Sequence, residues 1–366
     1  MKTTVHFGAG ALGRGLVIPM LVQSGQEVVA VDTNSNLLSK LKEQKGYQLH
    51  ISDDENNPYQ FIPLHNSLNS IEESMEVIET VRNADIVTTA VRRQNLKFVA
   101  PVIYEAWKNQ DCKNKQIICC ENVENVGTIF RELLDTYLKT DEEKENFKNV
   151  QIPDTIVDRI CAMSDDYTIT SEVFHECSVD RIQDPDTHLE FIPSINNIKG
   201  HFYRKRYLMN SYADSISFLG LEKELLYLYE AAQNEEINQY IEKTIRLYFK
   251  LLEAKYDIPQ EESEHWFMLY RKRLSNPNIP RELNTVARNL WDKLTLQERF
   301  VCPLMELKEI GIDVTDALRS IVRMIEINSK YQNEALSKED ILSRLENLWC
   351  KNSLGNELYK EIMALI

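Results

Sequence analysis

Basic residues are scarce in this sequence relative to acidic ones. There are 42 Lys and Arg against 57 Asp and Glu, which gives a net charge of −15. This deficit argues against nucleic acid or an acidic membrane surface as the main partner, although a local basic pocket can still bind an anionic substrate. Because the sequence also has no apolar run long enough to span a bilayer and no signal peptide, we expect a cytoplasmic protein.

Cysteine patterns that would indicate disulfides or a metal site are absent as well. The seven cysteines are scattered, and the pair Cys119-Cys120 lies within an apolar run rather than in a CxxC motif. No cluster of Cys and His has zinc spacing. We therefore expect reduced thiols and no metal ion.

A glycine-rich turn near the N-terminus is the strongest signal present. The apolar segment 4–7 enters it, and a helix is predicted to follow, to about Ser24. The turn supplies the residues that we expect to bind a dinucleotide: Gly8, Ala9, Gly10, Ala11, Leu12 and Gly13. Gly8 permits a sharp turn, Gly10 lets a pyrophosphate approach the backbone, and Gly13 lets the helix pack closely on the strand. The start of the helix offers N–H groups to the phosphates.

An acidic residue follows at the spacing that this fingerprint requires. The predicted strand 27–31 ends in Asp32, whose carboxylate can accept hydrogen bonds from the adenosine ribose hydroxyls. A 2′-phosphate would meet a like charge there, and residues 33–35 supply no cation, so the prediction is NAD rather than NADP. A glycine-rich turn without a ligand would leave the position of Asp32 unexplained.

Strands and helices alternate as far as about residue 192, which predicts a doubly wound, Rossmann-like α/β domain over residues 1–192. Residues 193–366 show helical periodicity and predict an all-α domain that binds substrate and carries catalytic groups. One helix is predicted over Arg204–Leu219, and capping-box sequences at Thr295–Glu298 and Ser337–Asp340 predict two helix starts.

Ligands of such a sheet bind outside the carboxyl ends of its strands. Candidate residues fall at these ends: Asp32, Thr89, Ala90, Arg92, Arg93, Asn122 and Asp158. Of these, Asp32, Thr89, Ala90 and Asn122 are predicted to contact the cofactor. Asn122 could also hydrogen-bond a substrate oxygen or cap the next helix.

A base for oxidising an alcohol is also needed, and Lys205 is the candidate. It lies between Arg204 and Arg206, and neighbouring positive charge or burial lowers the pKa of a lysine toward neutral pH. The alternative interpretation is a solvated basic face.

Motifs along nearly the whole chain resemble the polyol-specific long-chain dehydrogenases. They are Phe7-Gly-Ala-Gly-x-x-Gly-Arg-Gly15, Thr88-Thr-Ala-Val91, Cys120-Glu-Asn122, Val157-Asp-Arg-Ile160, Lys205-x-x-x-x-Asn210, and Arg288 through Lys293-Leu294 to Pro303-Leu304. The resemblance implies an NAD-dependent, metal-free enzyme that is a monomer or weak homodimer and converts D-mannitol 1-phosphate to D-fructose 6-phosphate.

The resemblance also implies roles for individual residues. Lys205 would be the general base, Asn122 and Asn210 would polarise the substrate oxygen, and Asp158 would hold the substrate or tune Lys205. Arg288 and Lys293 would bind the substrate.

Departures from the family pattern lie on the substrate side. Ala213 stands where the family has a histidine, Arg92 replaces a small residue, and Asp292 replaces a basic one. Three explanations remain open. The substrate is a different polyol, sugar phosphate or sugar acid, with Arg92 or Arg93 as its anion contact; another side chain replaces the imidazole; or the chain binds NAD without catalysis. The candidate replacements are Tyr212, His201 and His175.

Overall fold

The computed structural model describes residues 3–183, 189, 192–331 and 335–366. The chain divides into two compact units, residues 1–198 and residues 199–366. The first contains all of the sheets in the described ranges, and the second is helical.

A five-stranded parallel sheet forms the centre of the first unit. Its strands stand in the order β5-β2-β1-β6-β7. They are β1 (Thr3–Phe7), β2 (Glu27–Asp32), β5 (Asn66–Asn69), β6 (Ile86–Thr89) and β7 (Gln116–Cys119). The strand order turns at β1, so the ends of β1 and β6 lie side by side at the switch point where such sheets bind ligands.

Both faces of this sheet are covered, which explains the continuous apolar runs in its strands. Val29 and Val31 of β2 pack into one core cluster, while Val28 and Ala30 pack into the cluster on the opposite face. The covering helices are α1 (Ile18–Gln23), α2 (Ser35–Gln44), α3 (Ser74–Asn83), α4 (Leu96–Trp107), α5 (Val126–Asp135) and α6 (Asp141–Phe147).

Two smaller sheets complete the first unit. A four-stranded mixed sheet has the order β4-β3-β10-β9, and a three-stranded sheet has the order β12-β11-β8. Their strands are β3 (Gly46–Ile51), β4 (Tyr59–Pro63), β8 (Thr155–Asp158), β9 (Cys161–Met163), β10 (Ile169–Ser171), β11 (Glu176–Asp180) and β12 (Ser194–Ile195).

The second unit is built around a buried helix. In α8 (Ser211–Glu222), every residue from 211 to 220 is buried, as expected for a helix that is packed on all sides. The other helices are α7 (Ile198–Lys205), α9 (Leu228–Gln233), α10 (Glu235–Tyr256), α11 (Gln260–Leu274), α12 (Leu283–Val286), α13 (Leu290–Lys293), α14 (Cys302–Glu309), α15 (Thr315–Tyr331), α16 (Lys338–Trp349) and α17 (Ser353–Met363).

The predicted fold class, a Rossmann-like sheet followed by an all-α region, is confirmed, but one local prediction is wrong. The segment predicted as one helix over Arg204–Leu219 is helical throughout, with α7 and α8 joined by a π turn over Arg206–Asn210. The capping sequence at Thr295 begins no helix, because its hydroxyl donates back to the Asp292 carbonyl and the next helix starts at Cys302. The capping box at Ser337 is confirmed at the start of α16.

Candidate functional site

The glycine-rich turn packs closely against its neighbouring backbone segments. Gly8 has φ +103°, and a Cβ built on it would lie 2.5 Å from the Ala90 carbonyl oxygen. A Cβ on Gly13 would lie 2.0 Å from the Gly8 carbonyl oxygen. Neither position accepts a larger residue without movement of the backbone.

Gly10 contrasts with these two glycines. A Cβ built on Gly10 would meet no atom within 4 Å among the described residues. The backbone is therefore open on this side, and the Arg14 amide that donates to the Gly10 carbonyl oxygen at 3.0 Å starts the following helix. Ala11 and Leu12, in its first turn, are half-buried. This open cradle at the start of a helix fits a pyrophosphate.

The helix after the cradle contains a π turn over Gly13–Val17 close to its start. The Ile18 amide donates to the Gly13 carbonyl oxygen, a bond that spans five residues instead of four. Buried Arg14 stabilises the cradle, because its Nε donates to the Ala9 carbonyl oxygen at 2.7 Å. Burial lowers the pKa of Arg14. No role for this arginine was evident from the sequence.

A buried histidine holds the same turn from the first strand. The His6 Nε2 lies 3.0 Å from the Gly8 carbonyl oxygen, and its Nδ1 lies 2.7 Å from the Thr88 hydroxyl. Because a carbonyl only accepts, Nε2 carries the proton and Nδ1 accepts from Thr88. Burial lowers the pKa of His6 to about 4, so the ring is neutral.

Asp32 lies at the end of β2, as predicted, and contacts the glycine-rich turn. Its Oδ2 accepts from the Ala9 amide at 2.8 Å, and its Oδ1 accepts from the amides of Thr33 and Asn34. The carboxylate therefore fixes the turn against the end of β2. The Asp32 side chain is half-buried, so part of it remains accessible.

Glu121 joins the ends of β6 and β7. Its carboxylate accepts from the Thr89 hydroxyl at 2.8 Å and from the Val91 amide at 2.9 Å, and burial raises its pKa. The hydroxyl of Thr89 is thus directed to Glu121. From the sequence alone, Glu121 was evident only as part of the motif Cys120-Glu-Asn122. Asn122, the next residue, is exposed beyond the end of β7.

Arg92 and Arg93 follow the end of β6 and are both exposed. Arg92 has φ +72°, a conformation that is costly for a residue with a side chain. This backbone explains why a small residue is expected there. Asp158, by contrast, is buried at the end of β8.

A second π turn lies between Lys205 and Asn210. The Ser211 amide donates to the Arg206 carbonyl oxygen, again across five residues. Residues five apart stand nearly above one another in such a turn, whereas in an α-helix they diverge. Lys205 is buried at 6% exposure and Asn210 is half-buried. The π turn therefore brings these two predicted catalytic residues to one face.

The proposed replacements for the missing imidazole differ in their surroundings. The Tyr212 hydroxyl donates to the Asn238 amide oxygen inside the helical core, which removes it from the face of Asn210. His201 lies one turn before Lys205, and its Nδ1 accepts from Arg204 at 2.6 Å. Burial, and secondarily the charge of Arg204, lowers its pKa to about 4. His175 is exposed in the first unit.

The two predicted substrate residues of the helical unit also differ. Arg288 is exposed, whereas the Lys293 Nζ lies 2.9 Å from the Asp214 carboxylate. Ala213 is buried on α8, immediately before Asp214.

Within the described ranges, no group of three or more His, Cys, Asp or Glu side chains is arranged to hold a metal ion. None of the helices in those ranges is both long and apolar enough to cross a membrane.

Comparison with known proteins identifies the family of the chain. Residues 2–192 match the family model of the mannitol dehydrogenase Rossmann domain. Mannitol-1-phosphate 5-dehydrogenase of Pyricularia oryzae is 27% identical over a 379-residue alignment that covers 100% of this chain and 95% of the relative. The enzyme of that name from Streptococcus pneumoniae is 26% identical over 353 residues, with 94% and 93% covered.

Solved structures share the fold. D-sorbitol dehydrogenase in substrate-free form superposes with a TM-score of 0.79 at 16% identity, covering 99% of this chain and 92% of that one. Pseudomonas fluorescens mannitol 2-dehydrogenase, in a ternary complex with NAD and D-mannitol, has a TM-score of 0.73 at 14% identity, with 99% and 90% covered. With its first 192 residues matched by the family model and its whole length by curated relatives, the chain belongs to the mannitol dehydrogenase family.

Proposed function

We propose that this protein is an NAD-dependent polyol-phosphate dehydrogenase that interconverts D-mannitol 1-phosphate and D-fructose 6-phosphate. The observation that carries the proposal is the π turn that aligns Lys205 with Asn210. A lysine and an amide on one face supply a proton acceptor and a hydrogen-bond donor for the same substrate oxygen. The full-length likeness to mannitol-1-phosphate 5-dehydrogenases supports this choice of substrate.

The cofactor is NAD, for which the open backbone at Gly10 and the carboxylate of Asp32 provide the fit. When bound, NAD⁺ supplies the hydride acceptor. Gly8 to Gly13 hold the pyrophosphate and Asp32 holds the adenosine ribose. Ala90 and Asn122 contact the cofactor where β6 and β7 end, and Thr89 shapes that edge through Glu121.

The chemistry on the substrate side is a proton transfer. The Lys205 amine accepts the proton of the reacting hydroxyl as the carbinol hydrogen leaves as hydride, so the alcohol loses two electrons and becomes the ketone. Asn122 and Asn210 donate hydrogen bonds to the oxygen as its negative charge develops. Asp158 holds the substrate or tunes Lys205. Because a lysine serves as the base, the step needs no metal ion.

A change of substrate within the same reaction class is the second candidate. It is favoured by Ala213, a buried methyl group in place of an imidazole, and by Arg92, whose guanidinium is exposed on a strained backbone. In this version Arg92 or Arg93 binds the anionic group of a different sugar phosphate or sugar acid.

Oxidation of NADH at neutral pH tests both candidates, with fructose 6-phosphate, fructose, tagaturonate and fructuronate offered in parallel. We expect turnover of fructose 6-phosphate. Turnover of another sugar alone would establish the second candidate. No turnover on any of them, with NADH binding retained, would contradict both and favour an NAD-binding protein without catalysis.

The protein is further proposed to act as a monomer or weak homodimer in the cytoplasm. None of the seven cysteines, all within the described ranges, forms a disulfide. Sedimentation of the purified chain at several concentrations measures the oligomeric state directly.

A further inference from the structure

A buried carboxylate stands one helical turn beyond Asn210 and has no part in the scheme above. Asp214 is on α8, four residues after Asn210, so the two lie on the same face. Its side chain is 7% exposed. Its Oδ1 lies 2.9 Å from the Lys293 Nζ and its Oδ2 lies 3.1 Å from an Arg299 guanidinium nitrogen. Asp214 therefore bridges two cations at low exposure.

Lys293 is held at a second point as well. Its Nζ donates to the Val286 carbonyl oxygen at 3.0 Å in addition to the Asp214 carboxylate. An ammonium has three N–H donors. Two are directed into the protein, and in the described part of the chain no acceptor is recorded for the third. The Lys293 side chain is 15% exposed, so its tip has restricted access to solvent.

The segment that carries these cations is fixed to the start of α8. The single hydrogen of the Ser211 hydroxyl is shared between the Arg299 carbonyl oxygen at 3.2 Å and the Arg206 carbonyl oxygen at 3.0 Å. Ser211 is the residue that closes the second π turn. The position of Lys293 and Arg299 is consequently coupled to the turn that aligns Lys205 with Asn210.

We propose that Asp214 is a positioning residue that fixes the Lys293 ammonium so that its third N–H donates to a hydroxyl or carbonyl oxygen of the sugar. The inference rests on the proposed dehydrogenase function. The carboxylate between Lys293 and Arg299 cancels one of their two positive charges. Lys293 is therefore better suited to donate a hydrogen bond to a neutral oxygen than to bind an anion. Exposed Arg288 is better suited to an anionic group.

Kinetics with the turned-over sugar test this role. Asp214→Asn keeps the shape and removes the charge, and we expect the KM for the sugar to rise about tenfold while the NADH affinity is unchanged. Fructose 6-phosphate and fructose should be affected alike, because the contact is not with phosphate. A matched control is Glu222→Gln, which removes a surface pair with Arg323 at the other end of α8 and should leave the KM unchanged.

Lys293→Arg covers the case in which Asp214→Asn does not fold, since breaking a buried ion pair is strongly destabilising. The arginine keeps a cation for Asp214 and should keep the melting temperature, yet it redirects the donors, so the KM should still rise. If Lys293→Arg and Lys293→Ala both leave the KM for the sugar unchanged, the proposal is overturned.

Amine labelling separates this proposal from the dehydrogenase assignment. Lys293 is modified by an amine reagent and quantified by mass spectrometry, with and without NAD⁺ plus fructose 6-phosphate, fructose, tagaturonate or fructuronate. We expect at least one sugar to protect Lys293 in the wild type and in Glu222→Gln, and Asp214→Asn to abolish that protection, an outcome that stands even if no sugar is turned over. Absence of protection by every sugar overturns the positioning role.

Discussion

Lys205 is the residue on which the proposed proton transfer depends. Lys205→Ala should reduce turnover by a factor on the order of 10²–10⁴, the usual contribution of a general base, and leave NADH binding nearly intact. Lys199→Ala is the matched control, since Lys199 is an exposed lysine of the same helix. Single-turnover kinetics and NADH fluorescence titrations measure the two effects. A parallel loss of NADH affinity in Lys205→Ala would contradict the assignment.

Asp32 accepts a hydrogen bond from the Ala9 amide and is expected to bind the ribose, and two variants separate these roles. Asp32→Ala removes the partner of the Ala9 amide as well as the charge, so NADH binding should weaken by about 1.5–3 kcal/mol and discrimination against NADPH should relax. Asp32→Asn keeps an acceptor for Ala9 and loses the charge, so it should mainly change the preference. Dissociation constants for both cofactors provide the measurement. An unchanged preference in both variants would mean that Asp32 does not face the ribose.

His6 makes stability depend on pH. Its pKa is lowered to about 4 by burial, so between roughly pH 6.5 and pH 4 the unfolded chain takes up the proton and the folded chain does not. Stability should therefore fall as the pH falls through this window, by about 2 kcal/mol at pH 5. Urea unfolding of the wild type and His6→Gln at pH 7.5 and pH 5 tests this. Equal pH slopes in the two proteins would refute it.

At the scale of an element, the glycine-rich turn offers a matched pair of substitutions. Gly10→Ala places a methyl group in open space, so folding should be normal, while NADH affinity should fall at least about tenfold because the phosphate cradle is filled. Gly13→Ala drives a methyl group into the Gly8 carbonyl oxygen and should cost about 1–3 kcal/mol of stability or more. Thermal melts and NADH titrations distinguish them. Normal NADH affinity in Gly10→Ala would remove the cradle from the cofactor site.

Elements with a strong period were predictable from the sequence. Apolar patterning predicts a strand over Ala84–Val91 and a helix over Phe98–Trp107, and the structure has β6 at Ile86–Thr89 and α4 at Leu96–Trp107. The three-stranded sheet was not predictable as a whole, because β12 has two residues and shows no period. The capping sequence at Thr295 misled because its hydrogen bonds are satisfied within a turn.

For the candidate site, the sequence indicated the residues expected to bind ligands better than the residues that hold them in place. Gly8, Gly13 and Asp32 followed from a known spacing with a physical reason. The roles of His6 and Glu121 did not, because each depends on a contact between strands far apart in the chain. The five-residue spacing between Lys205 and Asn210 was the available signal for the π turn.

At the scale of the whole molecule, the cofactor should stabilise the fold by mass action. NADH at about 100 times its dissociation constant adds about 2.7 kcal/mol to the free energy of unfolding if it binds only the folded state. Calorimetric scans with and without NADH measure the shift in the melting temperature. Gly10→Ala should shift much less at the same concentration, and equal shifts in the two proteins would point to binding elsewhere.

The second π turn also bears on which insertions and deletions this chain can accept during evolution. One additional residue in a helix rotates everything beyond it by roughly 100° relative to what came before. The π turn absorbs such an additional residue, so removing one residue between Lys205 and Asn210 would return the segment to a regular α-helix, in which residues four apart still share a face. The common face of the two side chains therefore links segment length to helix type: a spacing of five residues requires the π turn, and a spacing of four would require a regular α-helix.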